Sequence, residues 1–151
     1  MDARLKKAYD SLSAQCARRE YCTSDIMHKA LDRLDGDRQA ASEVVEMLKK
    51  EGFVSDLRYA GAFAREKASL QGWGPVKIRY ALSAKGISRA DADAAMEEVD
   101  EEKAGDRLRR LLEAKDKSLA GDPQRKLKLL KYALSRGYEY DQVRRFVDDL
   151  T

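Results

Sequence analysis

The sequence predicts an all-α protein built as three tandem three-helix repeats, forming an elongated, curved array. Three observations carry this. Apolar residues recur at three- and four-residue spacing between capping residues and glycines, so each stretch buries one helical face. Charged residues make up 38% of the 151 and aromatics 7%, with only two prolines, a balance suited to ion-paired helix surfaces rather than to sheets. The chain also matches itself at a step near 51 residues, which is the mark of a repeat architecture.

In order, a first helix is expected from near Asp2 to about Arg19, with Leu5, Tyr9 and Leu12 on one side. The capping cluster Thr23-Ser24-Asp25 opens a second, carrying Met27, Ala30 and Leu31, and Asp35-Gly36-Asp37 breaks it. A third carries Ala41, Val44, Val45 and Leu48 before Gly52. Ser55 then caps a long helix through Phe63 to Leu70. Gly72-Trp73-Gly74-Pro75 follows as a rigid elbow: the glycines take angles closed to other residues, and Pro75 presets φ at the first helical position. The helix so opened carries Ile78, Ala81 and Leu82 and stops at Gly86. Ser88 with Asp91 caps a helix bearing Ala92, Ala95, Met96 and Val99. Leu108, Leu111 and Leu112 mark a long helix ending near Gly121, and Asp122-Pro123 reads as a cap with proline at the first position. Leu127, Leu130, Ala133 and Leu134 are expected to face inward, and a last helix carries Val143, Phe146, Val147 and Leu150.

The repeat sets the unit boundaries at 1–53, 54–100 and 101–151. Third-helix positions Ala41, Val44, Val45 and Leu48 map onto Ala92, Ala95, Met96 and Val99, then onto Val143, Phe146, Val147 and Leu150, each 51 residues on. Second-helix positions Met27, Ala30 and Leu31 map onto Ile78, Ala81 and Leu82 at 51 and onto Leu130, Ala133 and Leu134 at 52. The identity of Tyr80-Ala81-Leu82-Ser83 with Tyr132-Ala133-Leu134-Ser135 supports the second step.

The net charge is +3, but charge is distributed in blocks. Arg58 to Arg89 holds seven bases and the single acid Glu66; Asp91 to Glu102 holds seven acids and no base; Lys103 to Arg136 holds eleven bases and four acids. Such blocks are either solvated helix faces or a surface that meets a polyanion. Lys77, Arg79 and Lys85 in the second unit and Lys126, Lys128 and Lys131 in the third have no acid at i+4, so they are the candidate contact bases, followed by Arg18 and Arg19. Trp73 reads as an elbow anchor or a partner-facing ring, and Tyr59, Tyr80 and Tyr132 as core-rim residues rather than a stacking platform.

An enzyme is the weakest class. One histidine, no phosphate-binding loop and no glycine-framed nucleophile leave no catalytic constellation. Cys16, Cys22 and His28 make a poor metal set, so no metal or cofactor is expected. With two cysteines and no long apolar run, the chain is expected to be cytoplasmic, with reduced thiols and no membrane partner.

Four segments resemble the RecX family, modulators of the RecA recombinase: Ala17-Arg18-Arg19-Glu20-Tyr21; Asp56-Leu57-Arg58-Tyr59-Ala60; Gly72-Trp73-Gly74-Pro75 with Ile78, Leu82 and Lys85-Gly86-Ile87; and Leu134-Ser135-Arg136-Gly137-Tyr138. The resemblance implies tandem three-helix repeats and a non-enzymatic monomer. It implies that the partner is the RecA–DNA filament, whose growth, ATP hydrolysis, strand exchange and coprotease activity such proteins restrain. Contact with single- or double-stranded DNA would be weak or made through the filament. The alternatives are a general or sequence-specific helical DNA-binding protein and a scaffold that binds protein alone.

Overall fold

The computed structural model describes residues 2–150, and nine α-helices run through them. They are α1 Ala3–Cys16, α2 Thr23–Arg33, α3 Arg38–Lys50, α4 Asp56–Ser69, α5 Pro75–Ala84, α6 Arg89–Glu97, α7 Glu101–Ser118, α8 Arg125–Ser135 and α9 Tyr140–Leu150. Ser55 and Ser88 cap as read, and Asp2, Asp37 and Asp100 do the same: each side chain accepts a hydrogen bond from the backbone N–H three residues on, satisfying a donor the helix itself leaves open.

The helices gather in threes around three apolar clusters. Leu12, Ile26, Leu34, Val44 and Leu48 fill the first, Ala60, Ala64, Ile78, Leu82 and Ala95 the second, and Leu108, Leu112, Leu129, Val143 and Val147 the third. The second is built largely of alanines. Small side chains on facing helices let α4 and α6 approach closely, and Glu98, paired with Arg65 at 2.6 Å, lies over the bare backbone of Gly61.

Three segments depart from the sequence expectation. Thr23-Ser24-Asp25 lies inside α2, whose N-cap is Cys22 with no side-chain cap bond. α1 stops at Cys16, short of Arg19, and Asp122-Pro123 does not cap α8. Asp122 instead accepts from the Gln124 N–H at 2.8 Å in a tight turn, and the helix begins at Arg125. The inward face of α8 also shifts: Leu129 and Ala133 are buried, Leu130 is half-buried, and Leu127 and Leu134 are exposed.

That shift resets the repeat. The buried second-helix pairs are Ile26 and Ala30, Ile78 and Leu82, then Leu129 and Ala133, so the steps are 52 and then 51, the reverse of the order expected. The shared Tyr-Ala-Leu-Ser segments therefore lie one residue out of structural phase, and their identity carries no positional meaning. In the third helices the step of 51 agrees with burial at Ala41, Val44 and Val45, Ala92 and Ala95, and Val143 and Val147; the side chain of Leu150 lies outside the described residues.

Neighbouring units join end to end through their second helices. At the start of α5, the N–H groups of Gly74 and Val76 donate to the carbonyls of Arg136 (2.7 Å) and Gly137 (2.9 Å), just past the end of α8. The Arg136 guanidinium donates to the Gln71 carbonyl and the Tyr138 hydroxyl to that of Gly72 at 3.0 Å. Gly74 has an ordinary φ of −81°; its glycine is needed for space, because a Cβ there would overlap the Gly137 carbonyl. Gly137 needs both properties, with φ at +93° and the backbone of Lys77 where its Cβ would stand. The elbow is thus also a socket for the next unit.

The α2 end of the array repeats the plan with side chains. The Ser24 hydroxyl donates to the Lys85 carbonyl past the end of α5 at 2.8 Å, and the Thr23 N–H donates to Asp56 at 2.7 Å. Glu20 pairs with Arg58 at 2.6 Å, and Cys22 is buried in the second cluster rather than the first.

Replacing Gly74 with alanine is expected to cost about 1–3 kcal/mol through overpacking alone. Gly137→Ala adds roughly 1–2 kcal/mol of left-handed strain to the same clash. Gly121→Ala, at φ +82° in open space, should show only the strain. Urea denaturation of the three variants measures these costs, and equal losses would show that the socket contributes nothing.

Candidate partner-binding surface

The eight candidate bases do not form one free patch. Arg79 pairs with Asp93 of α6 at 2.5 Å, Lys85 with Asp25 of α2 at 3.0 Å, Lys126 with Asp148 of α9 at 2.9 Å and Lys128 with Asp122 at 2.6 Å. None of these acids stands at i+4. Three come from other helices, and the fourth lies in the turn before α8, so helix-local spacing cannot find them. The pairs are substantially exposed, and such pairs contribute only about 0–1 kcal/mol, so they lower the local positive potential without locking the side chains.

Lys77 is half-buried, with its ammonium over the Trp73 ring at 4.4 Å; Lys67 shares that ring at 4.9 Å. Trp73 packs edge-on against Phe63 at 6.0 Å, which is the anchoring geometry. Arg19 stacks on Tyr21 at 4.7 Å. Lys131 and Arg18 are exposed and meet no carboxylate among the described residues. Half of the expected bases are therefore already neutralised within the fold.

The tyrosines divide. Tyr59 stacks on Phe63 at 5.9 Å, and Tyr132 is half-buried beneath Lys115. Tyr80, by contrast, is 77% exposed. It lies two residues from both Ile78 and Leu82, which are buried, and at 100° per residue that places it on the opposite side of α5. Val76, one turn earlier, is 52% exposed; on α8, Leu127 is 46% and Leu134 41% exposed. With the repeat step of 51, Val76 corresponds to Leu127, Tyr80 to Lys131 and Ser83 to Leu134. The same face of the second helix is thus open in both units. Reading Leu127 and Leu134 as core obscured it in the sequence.

Among the described residues there is no cluster of three or more histidine, cysteine or acidic side chains able to hold a metal, and no helix is long and apolar enough to cross a membrane.

A family model described as RecX, second three-helix domain, matches residues 55–96. Regulatory protein RecX of Chromohalobacter salexigens is 35% identical over 131 residues, spanning 85% of this chain and 82% of that protein. Regulatory protein RecX of a Pseudomonas putida strain is 31% identical over 135 residues, spanning 87% and 83%. The crystal structure of RecX from Lactobacillus salivarius matches with a TM-score of 0.85 at 21% identity, over 97% of this chain and 96% of that one. A second, titled crystal structure of regulatory protein RecX, gives 0.84 at 22%, over 97% and 72%. At these identities the two solved structures speak to the fold.

The Asp25–Lys85 pair makes one junction sensitive to pH. Burial pushes the Asp25 carboxyl up, but hydrogen bonds with Lys85 and Cys22 outweigh it and hold it below the usual carboxylate value; its bond to Asp25 holds Lys85 above the usual lysine value. Asp25 then stabilises fully above its unfolded value of about 3.9, and that stabilisation is lost as pH falls through its lower folded value. The Lys85 contribution is complete below about 10.4 and is lost as pH rises through its raised value. Asp25→Asn should therefore cost up to about 1 kcal/mol at pH 7. The melting-temperature gap from wild type should shrink as both are taken below about pH 4.

Proposed function

The chain belongs to the RecX family of regulatory proteins, and from that premise we propose that it binds the RecA–DNA filament and restrains its growth, ATP hydrolysis, strand exchange and coprotease activity. The observation that supports this most is the extent of the relationship. It runs through 85% of the chain at 35% identity, so it spans helices of all three clusters rather than one borrowed module.

The architecture suits such a partner. A filament presents identical subunits at a regular spacing, and this array presents equivalent helices in succession. Lys131, Arg18, Arg19 and Lys77 are the bases left to meet acidic groups on the filament; Arg79, Lys85, Lys126 and Lys128 join only by exchanging an intramolecular carboxylate for one on the partner. With a net charge of only +3, attraction to naked DNA is modest, and DNA contact is made chiefly through the filament. The protein acts as a cytoplasmic monomer without a cofactor, by occupying a surface rather than by chemistry.

RecA-dependent ATP hydrolysis on single-stranded DNA should fall when the protein is added at amounts stoichiometric with RecA; an unchanged rate rejects this reading. Arg18→Glu/Lys131→Glu alters two exposed bases that hold no carboxylate, so melting should be unchanged. Filament affinity should fall about tenfold, or roughly 1.4 kcal/mol, with a shallower dependence on salt.

A further inference from the structure

The two boundaries of the array are built differently. α4 packs along α7, so the second and third units share a helix-to-helix contact besides the bonded elbow, whereas no helix of the first unit packs along a helix of the second. The chain crosses that first boundary in one short link. Phe53 packs against the first cluster and Val54 is buried in it, while α4 begins at Asp56, so Ser55 alone belongs to neither body. Arg58 bonds to the carbonyls of Gly52 and Phe53 at 3.0 and 3.3 Å, a contact that lies at the link itself. Away from the link, the hydrogen bonds and ion pairs spanning the boundary among the described residues all come from one segment, Glu20 to Asp25. Glu20 meets Arg58 at 2.6 Å, the Thr23 N–H meets Asp56 at 2.7 Å, the Ser24 hydroxyl meets the Lys85 carbonyl at 2.8 Å, and Asp25 meets the Lys85 ammonium at 3.0 Å. Between them Cys22 is fully buried in the second cluster, its sulfur 3.3 Å from the Ser24 oxygen.

We propose that the first unit swings as a body about Ser55, with Glu20 to Asp25 as a latch that opens while all three units stay folded. The relative costs favour this opening over any other at the boundary. The four polar contacts lie at a wet surface, where water replaces much of what each loses. Only Cys22 leaves an apolar site, and its side chain is small. Unfolding the first unit would instead expose Leu12, Ile26, Leu34, Val44 and Leu48 together. The second and third units have no such option, because α4 and α7 would have to separate along their length. The array therefore offers a partner two units in fixed register and one whose angle adjusts, and this property does not depend on which partner it meets.

The two cysteines report the two events separately. Cys22 leaves its site when the latch opens, whereas Cys16 is buried in the first unit's own cluster and is reached only when that unit unfolds. The native chain is pulsed with iodoacetamide, and alkylation of each thiol is followed by peptide mass spectrometry, with each rate divided by that of the same thiol in the urea-unfolded chain. Amide hydrogen exchange at Ile78 and Leu82 reports opening of the second unit. Cys22 should react at least about tenfold faster than Cys16 and faster than the Ile78 and Leu82 amides open. Ser24→Ala/Asp25→Asn should speed Cys22 by about a further tenfold, leaving Cys16 and the two amides unchanged. Alkylation of Cys22 no faster than Cys16 would overturn the swing, since the junction would then open only by unfolding the first unit. A Cys22 rate equal to opening at Ile78 and Leu82 would overturn it in favour of unfolding of the second. An unchanged Cys22 rate in the double variant would overturn the assignment of the latch.

Discussion

The first backbone N–H groups of a helix have no partner inside it, and at α5 two of them are answered by the chain that leaves α8. Gly74 and Val76 donate to the carbonyls of Arg136 and Gly137, so the positive end of one helix meets the negative end of another. This requires two backbones to touch without side chains between them, which is why a glycine stands on each side. That contact, together with α7 packed against α4, seats the third unit on the second. Tyr138 extends it by bonding to the Gly72 carbonyl while its ring fills the third cluster.

The two junctions share a plan but differ in chemistry. Between α2 and α5 the backbone contact is replaced by side chains: Ser24 on the Lys85 carbonyl, Asp25 on the Lys85 ammonium and Asp56 on the Thr23 N–H. Charged, partly exposed contacts weaken with salt and with extremes of pH, whereas a backbone contact between glycines responds to neither. The junction between the first and second units is therefore the more sensitive of the two to salt and pH. Cys22, buried in the neighbouring unit's cluster, offsets part of that difference with apolar contact.

The sequence made the fold legible wherever the signal was local. Caps at Ser55 and Ser88, stops at Gly52 and Gly86 and the apolar stripes of α3, α6 and α9 all depend on residues within a few positions of one another. Two kinds of information were not local. The phase of α8 rests on which leucines of a leucine-rich helix meet α7 and α9; with Leu127, Leu129, Leu130 and Leu134 all available, periodicity alone admits more than one face, and a chance tetrapeptide identity favoured the wrong one. The acids that neutralise Arg79, Lys85 and Lys126 lie 14, 60 and 22 positions away in sequence, so only the packing of helices brings them near. The same error of phase made bases seem the whole of the candidate surface, because it placed the exposed leucines inside.

Most of the residues that carry the family resemblance hold the junctions between units, with Arg18, Arg19 and Leu134 as exposed exceptions. Glu20 and Arg58 pair across the first junction, Lys85 bonds across it, and Gly72 to Pro75 receives Arg136 to Tyr138 across the second. These residues set the angle at which one unit follows another. Val76, Tyr80, Leu127 and Lys131 lie between those motifs, on the open side of helices whose inner sides the motifs hold in place. Altering a junction residue would change the spacing of every contact at once, while altering an exposed one changes a single contact. An array of tandem units is constrained most where the units join, and its exposed face can vary on that fixed frame.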